Sequence, residues 1–328
     1  MEYRTLGGTG LAVSALGFGC GAVGGLLVRG EYPEMHRAVA RAIELGITYF
    51  DTASMYGSGQ SEANLGAVLR ELKAEVVVGT KVFLEAQDLG HIEEAVIAHA
   101  EQSLRQLGRE QVEVLYFHNF LGAQRKGGAA GIADLEPVLK ALLRLQEQGK
   151  ARFVGFNGLG ETAAVHQALG LQGFQALQTC YNLLNPTAGR SATAGFPFQD
   201  YQQLIDRAAQ RHQGVVAIRV LAGGALSGSE ARHPVGAAQV GTISTSPDYA
   251  ADVSRARRFS FLVEEGIAGS LAEAAVRFAL GKVGISSVLV GISSFEQLEA
   301  AAQAQAKGLL PPEVLGRLEE VWKGLGAP

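Results

Sequence analysis

The sequence predicts a (β/α)8 barrel, on three observations. Short, β-rich apolar runs alternate with amphipathic helical stretches along the whole chain. Eight such runs occur, and no change in composition divides them. Their interiors are almost continuously hydrophobic, as the strands of a parallel sheet covered on both faces require. A doubly wound open sheet is the main competitor, and uniform alternation favours the closed barrel.

The start, YRTLGGTGLAVS, reads as a β-hairpin turning at Gly7-Gly8 and placed to plug the barrel floor. The first barrel run, SALGFGC, ends at Cys20; GITYFD ends at Asp51 and EVVVGTK at Lys81. EVLYFHN runs through His118, RFVGFN ends at Asn157 and FQALQT surrounds Gln178. GVVAIRV surrounds Arg219, and SSVLVG ends at Gly291. Apolar residues recur at three and four in MHRAVARAIELG from Met35, IEEAVIAHAEQSLRQLG from Ile92, DLEPVLKALLRLQEQGK from Asp134 and SLAEAAVRFALGK from Ser270. Gly46, Gly108 and Gly149 mark helix stops. Strand ends lie 21 to 41 residues apart until the last interval, which is 72. That interval holds a Gly/Ser/Pro-rich segment from Ser227, then a helix-like RARRFSFLVEEG, read as a long loop and an extra helix over the barrel mouth. A second long loop starts at Asn185, and Leu315 to Gly324 reads as a last, C-terminal helix. One domain over 1–328 is expected, since no linker or low-complexity tract interrupts it.

Composition narrows the function classes. Of 328 residues, 47% are hydrophobic and 18% charged, which supports a large core and excludes wholesale disorder. The net charge is −4 with no dense basic run, so no nucleic-acid partner is expected. The 43 glycines have no Gly-X-Y period and fit tight turns between repeated elements. Two cysteines, Cys20 and Cys180, make neither a metal spacing nor a disulfide framework, and no metal is expected. No secretory signal and no apolar run of 18 residues is visible, so the expected location is the cytoplasm, away from the membrane.

Several apolar runs end in polar or ionisable side chains: Asp51, Lys81, His118, Asn157, Gln178 and Arg219. In a barrel these ends converge on one mouth. Charges at the rim of an apolar core are costly unless paired, so Asp51, Lys81 and His118 should be neighbours. Tyr56 sits in the loop five residues after Asp51, beside Gly57 and Gly59, and that loop can bring its phenol over the mouth. An ammonium next to a phenol lowers its pKa from about 10. Asp51 would hold Lys81 charged, Tyr56 would give a proton to a carbonyl oxygen receiving a hydride, and His118 would hydrogen-bond the same oxygen. No side chain supplies a hydride, so a nicotinamide cofactor is required.

With these residues in place, the sequence resembles the aldo-keto reductase superfamily over essentially its whole length. GITYFDTASMYGSGQSEANLG matches the family's most distinctive stretch, with Asp51 and Tyr56 at its acidic and tyrosine positions. VVGTKV supplies the family lysine as Lys81 and YFHN its histidine as His118. The resemblance implies NAD(P)(H)-dependent interconversion of a carbonyl and an alcohol, on a small aldehyde, ketone or aldose. GFNGLG is closer to bacterial members, some of which oxidise free aldoses. It also implies nicotinamide carboxamide contacts at Asn157, Gly158 and Gln178, and cofactor-lining roles for Gly19, Cys20, Asp51, Arg219 and Leu221. Gly291, Ile292, Ser293 and Gln297 fall at the phosphate-binding end of the eighth strand. Ile218 stands where an aromatic often stacks on the nicotinamide. Gly291, Gln297 and Ala301 stand where many members carry basic residues around the 2′-phosphate. NADPH is the expected cofactor, with NADH usable. Two alternatives remain: a cofactor-binding regulatory subunit without turnover, and a Schiff-base barrel enzyme using Lys81. Physiological substrate and oligomeric state stay open.

Overall fold

The computed structural model describes residues 1–326. The chain opens with an antiparallel hairpin, β1 (Tyr3–Thr5) and β2 (Ala12–Ser14). The barrel begins with β3 (Leu16–Gly19), β4 (Tyr49–Asp51), β5 (Val77–Val82) and β6 (Val112–Phe117). Two short strands, β7 (Leu121–Gly122) and β8 (Ala130–Gly131), pair with each other in the loop after β6. β9 (Ala151–Asn157), β10 (Ala176–Cys180), β11 (Gly214–Ile218) and β12 (Ile285–Gly291) complete the barrel. Among the described residues, eight strands pair in parallel and close through β12 against β3, with Val288 opposite Leu16. The eight apolar runs of the sequence are these eight strands.

A helix follows each barrel strand: Tyr32–Glu44, Gln60–Leu72, Ile92–Leu107, Leu135–Glu147, Thr162–Gly170, Leu204–Gln210, Leu271–Leu280 and Phe295–Ala306. Their apolar stripes cover the outside of the barrel in one continuous core. A second, smaller core fills the inside: Tyr49, Val77, Val114, Tyr116, Ala176, Val216 and Leu289, sealed from below by Leu6, Leu11 and Val13 of the hairpin. The floor plug is therefore as expected. Its turn is longer than Gly7-Gly8: a single 3-10 turn spans Gly7–Thr9 and Gly10 reverses the chain at φ 73°. Gly7 abuts the β11 backbone, where a Cβ would lie 2.2 Å from the Gly214 nitrogen, so the loop is shaped by the barrel rather than by a tight hairpin.

The extra helix of the β11–β12 interval also starts earlier than the RARR segment. It spans Tyr249–Ala256 and begins at Asp248, whose carboxylate accepts from the Ala251 N–H. Its arginine cluster is surface-facing, with Arg257 and Arg258 exposed, yet hydrogen-bonded. Arg255 donates to Ser246 Oγ at 2.8 Å, and Arg257 and Arg258 donate to the carbonyls of Gly228 and Gly324. They tie the extra helix to the long loop and to the last helix, Val314–Gly324. Trp322 of that helix is buried and donates to the Leu183 carbonyl at 2.8 Å. Among the described residues, no helix is long and apolar enough to cross a membrane.

Candidate active site

Asp51 closes β4, Lys81 lies in β5 and His118 follows β6, so three adjacent strands deliver the three ionisable groups. Lys81 Nζ donates to Asp51 Oδ2 at 2.5 Å and to the Thr52 carbonyl at 2.7 Å. From β10, Gln178 Nε2 donates to Asp51 Oδ1 at 2.5 Å, so both carboxylate oxygens are held. Lys81 is 1% exposed. Burial alone disfavours its ammonium, but the Asp51 carboxylate and the Tyr56 phenol overcome this and raise its pKa above the ordinary value. A buried lysine so paired stays charged and has no free lone pair.

Tyr56 reaches the site through a compact turn. Its N–H donates to the Ala53 carbonyl at 3.0 Å, and its own carbonyl accepts from Ser61 at 3.2 Å. Gly57 and Gly59 adopt φ of 62° and 89°, which reverses the chain into the helix Gln60–Leu72 at little steric cost. Lys81 Nζ lies 5.0 Å from the Tyr56 ring centroid. The sequence reading expects a phenol pKa below its usual value, and here the structure corrects it. Burial pushes the phenol up by more than Lys81 and Arg219 pull it down, so it stays above its ordinary value.

The His118 ring stands edge-on to Tyr56, 5.8 Å between centroids, and edge-on to Phe83 at 6.3 Å. Burial and the Lys81 charge push its pKa down to about 3, so the imidazole is neutral. Its Nδ1 is buried and has no partner. Asn157, at the end of β9, donates through Nδ2 to the His118 carbonyl at 3.0 Å, which leaves its Oδ1 buried and equally unpartnered.

Asp51, Tyr56, His118, Asn157 and Gln178 line one end of a cavity of about 680 Å³. Gly19, Gly21 and Gly24 form one wall, and Ile218, Arg219 and Leu221 line it from the end of β11. The outer end is formed by Gly291, Ser293, Gln297 and Ala301. The volume lies in the range of cofactor sites, roughly 300 to 1,000 Å³. An unpartnered amide oxygen and an unpartnered imidazole nitrogen, both buried and both on residues that line that cavity, fit a ligand bearing a primary amide and a second bearing an acceptor oxygen. The residues present therefore fit a nicotinamide cofactor with a carbonyl substrate.

Three expected lining residues do not reach the cavity. Cys20 is packed in the outer core, its thiol pointing to the Phe18 carbonyl at 3.8 Å and pushed up in pKa by burial. Gly158 donates its N–H to the Gln178 carbonyl at 2.7 Å and packs behind that strand. Ile292 is buried in the core and accepts from Leu26 at 3.2 Å. Each directly follows a strand-end residue that does line the cavity, and alternation turns it to the opposite face. Ser293 lines the cavity with its donors already engaged: its N–H meets Gln297 Oε1 at 2.9 Å and its hydroxyl meets the Gly24 carbonyl at 2.6 Å. Arg219 makes no ion pair among the described residues; it donates to the Gly241 carbonyl at 3.0 Å. Phe83, Phe120, Arg232, His233 and Tyr249 were not singled out in the sequence. Phe83 and Phe120 lie two residues beyond Lys81 and His118, and that same-face spacing was a usable signal. The other three lie on the long loop or on the helix it leads into, where no spacing rule applies.

The family model of the aldo/keto reductase family matches residues 15–323. The chain belongs to that family. Aldo/keto reductases in general carry out NAD(P)H-dependent carbonyl reduction, which makes oxidoreductase chemistry the class of this barrel mouth. The chain is 28% identical over 330 residues to an L-glyceraldehyde 3-phosphate reductase of Escherichia coli K12, covering 93% of this chain and 87% of that one. It is 32% identical over 164 residues to an L-galactose dehydrogenase of Arabidopsis thaliana, a match spanning about half of each chain, 48% and 49%. A putative voltage-gated potassium channel subunit beta of Schizosaccharomyces pombe is 26% identical over 98% of this chain and 93% of its own. Among solved structures, an aldo-keto reductase of Bacillus halodurans in its holo form superposes with a TM-score of 0.71 at 22% identity, covering 98% of this chain and 96% of that one. That likeness confirms the barrel.

Proposed function

We propose that this chain is a single-domain, cytoplasmic NAD(P)(H)-dependent oxidoreductase that interconverts a carbonyl, in an aldehyde, ketone or aldose, and an alcohol. The observation that carries the reading is the juxtaposition of a buried Asp51–Lys81 pair, the Tyr56 phenol and a neutral His118 around one cavity. A nicotinamide, when bound, supplies the hydride. Tyr56 holds a proton at neutral pH, because burial keeps its phenol above the ordinary value, and can deliver it to a carbonyl oxygen. Lys81 stabilises the phenolate left behind, and Asp51 keeps Lys81 charged and aimed. Neutral His118 donates a hydrogen bond to the same oxygen and orients the substrate. Asn157 Oδ1 is the acceptor for the carboxamide, with its amide orientation already fixed by the His118 carbonyl. Gly19, Arg219, Leu221, Gly291 and Gln297 are the remaining cofactor-lining residues. NADPH is the favoured cofactor and NADH a usable one.

The regulatory reading draws its support from the channel-subunit relatives. Steady-state turnover on a panel of small aldehydes, ketones and aldoses separates the two. The enzyme reading expects turnover with at least one substrate class; cofactor binding with negligible turnover across the panel would favour a sensor. The Schiff-base reading is opposed by the charge and burial of Lys81, and borohydride trapping of a carbonyl adduct on Lys81 would revive it.

A further inference from the structure

The loop that carries Tyr56 is closed by two buried hydroxyls that the mechanism above does not use. Thr52 directly follows β4, and Ser61 lies in the first turn of the helix Gln60–Leu72; both are fully buried. Thr52 Oγ1 and Ser61 Oγ meet at 2.8 Å. The two residues stand nine apart in the chain, with Tyr56 between them.

Proton counting sets the direction of that bond. A hydroxyl has one proton to give, and Ser61 gives its own to the Cys20 carbonyl at 2.9 Å. The proton between the two hydroxyls therefore comes from Thr52. The run from Thr52 to Ser61 to Cys20 leaves no buried hydroxyl proton without an acceptor.

Each member of that run also holds a piece of the site. The Thr52 carbonyl accepts from Lys81 Nζ at 2.7 Å, and its N–H donates to the Gly79 carbonyl at 2.9 Å. The Ser61 N–H donates to the Tyr56 carbonyl at 3.2 Å. The Cys20 N–H donates to the Asp51 carbonyl at 2.9 Å. The next residue, Gly21, packs on the Tyr56 ring, where a Cβ would lie 3.6 Å from Cε2. The helix start is anchored separately: Glu62 accepts from the Thr80 hydroxyl at 2.5 Å, and Asn64 donates to the Leu27 carbonyl at 2.9 Å. Strand end and helix start are thus fixed points, and the two hydroxyls join them. Between them Ser58 sits at φ 53°, a left-handed conformation that a serine keeps only where its surroundings impose it.

We propose that the Thr52 and Ser61 hydroxyls form a clasp that positions the proton donor: by closing the loop onto the Cys20 carbonyl, they hold the Tyr56 ring between Gly21 and the Lys81 ammonium. This rests on Tyr56 being the proton donor as proposed above. Thr52 and Ser61 are positioning residues, since their hydroxyls act on the reaction only through Tyr56. The charges that bear on Tyr56, namely Lys81, Asp51 and Arg219, are retained in every variant of the clasp.

The decisive variant is Thr52→Val, which removes the hydroxyl, keeps the branched shape and leaves the Thr52 carbonyl in place for Lys81. Three readouts are taken: kcat, the NADPH dissociation constant by fluorescence, and the ultraviolet titration of tyrosinate in the free protein with Tyr56→Phe as background. The clasp predicts kcat lower by about fivefold to tenfold, the equivalent of one net hydrogen bond or slightly more. It predicts NADPH binding within about twofold of the natural sequence. It also predicts a Tyr56 pKa higher by about half to one pH unit, because a phenol less well held beside Lys81 loses part of its phenolate stabilisation. Thr52→Ser keeps the hydroxyl and should retain kcat within about twofold. Ser61→Ala should show the same loss of kcat and a lower Tm than Thr52→Val, because it leaves the Thr52 hydroxyl a buried donor without an acceptor. Should one of these two variants fail to fold, the other is read in its place. Ser287→Ala removes a buried hydroxyl that donates to the Ser14 carbonyl on another strand, and it should lower the Tm without moving the Tyr56 pKa. An unchanged kcat and Tyr56 titration in Thr52→Val would make the clasp mere packing and overturn the proposal. So would a Thr52→Ser protein as impaired as Thr52→Val, or a loss of kcat matched by an equal loss of NADPH affinity. Full activity of Tyr56→Phe would instead sink the proton-donor assignment, while the ionisation of Tyr56 in the free protein would still report on the clasp.

Discussion

The two ends of the cavity are built differently. The inner end rests on strand termini: Asp51, Lys81, Asn157 and Gln178 belong to β4, β5, β9 and β10, His118 follows β6, and every one except His118 is almost fully buried. Hydrogen bonds lock four of them, and two buried atoms of cavity-lining residues, His118 Nδ1 and Asn157 Oδ1, are left unpartnered. The outer end rests on the start of a helix and a long loop. Gly291, Gln297 and Ala301 bring no charge there, and the Ser293 donors are engaged within the protein. Rigid strands with orphaned polar atoms specify a reaction; uncharged lining positions beside a serine whose donors are satisfied specify little about which dinucleotide enters. Chemistry should therefore be fragile to mutation at the inner end, and cofactor choice pliable at the outer.

The largest effect expected away from Tyr56 is at Lys81. Lys81→Met should lower kcat by about 10² to 10⁴, since the phenolate loses its ammonium. It also strands the Asp51 carboxylate in the core, which costs about 3 to 5 kcal/mol. Adding Asp51→Asn should restore much of the Tm and none of the rate. A Lys81→Met protein with a normal rate and an unchanged pH profile would break the comparison at its rigid end.

His118 gives a pH test with a definite sign. Its folded pKa is about 3, against about 6.5 when unfolded. Between those values the unfolded chain binds a proton that the native one does not, so this residue makes stability rise with pH from about 3 to about 6.5. His118→Gln should flatten denaturation midpoints across that window. The kcat profile of the natural sequence should show no limb near 6.5, and a limb there that vanishes in His118→Gln would mean a charged imidazole.

Asn157→Ala should weaken NADPH and NADH equally, by about fivefold, the worth of one net hydrogen bond. A loss confined to one cofactor would contradict a carboxamide contact. Smallest is the native preference itself: the two dissociation constants should lie within about a hundredfold, or about 2.7 kcal/mol. Gln297→Arg should raise NADPH affinity and leave NADH unchanged, because a guanidinium at the outer end meets only the extra phosphate. A native NADPH preference above about a thousandfold would mean that a basic residue not assigned to the outer end recognises the phosphate.

The same contrast explains what was legible in the sequence. All eight strands could be read from apolar runs, because burial on both faces leaves a continuous signature, and the polar residues at the ends of five of them, Asp51, Lys81, His118, Asn157 and Gln178, marked the inner end. Within the site, alternation decided what the runs could not: Cys20, Gly158 and Ile292 sit one residue past a lining position and face away. The Tyr56 pKa was misjudged because a sequence gives its charged neighbours but not its burial. Helices Gln60–Leu72 and Thr162–Gly170 follow loops at the mouth, and the loop residues Arg232 and His233 come to the cavity only by long-range packing. The hairpin turn was misjudged for a similar reason, since the β11 backbone determines its shape.

The central claim is that Tyr56 gives the proton and does nothing else essential. Tyr56→Phe keeps the ring and removes the hydroxyl, so turnover and cofactor binding should separate. Steady-state reduction and fluorescence titration with NADPH, on the same preparation, measure both. The predicted result is a loss in kcat of about 10² to 10⁴ with a cofactor dissociation constant within about twofold of the natural sequence. A Phe variant retaining more than about a tenth of the kcat would contradict the assignment.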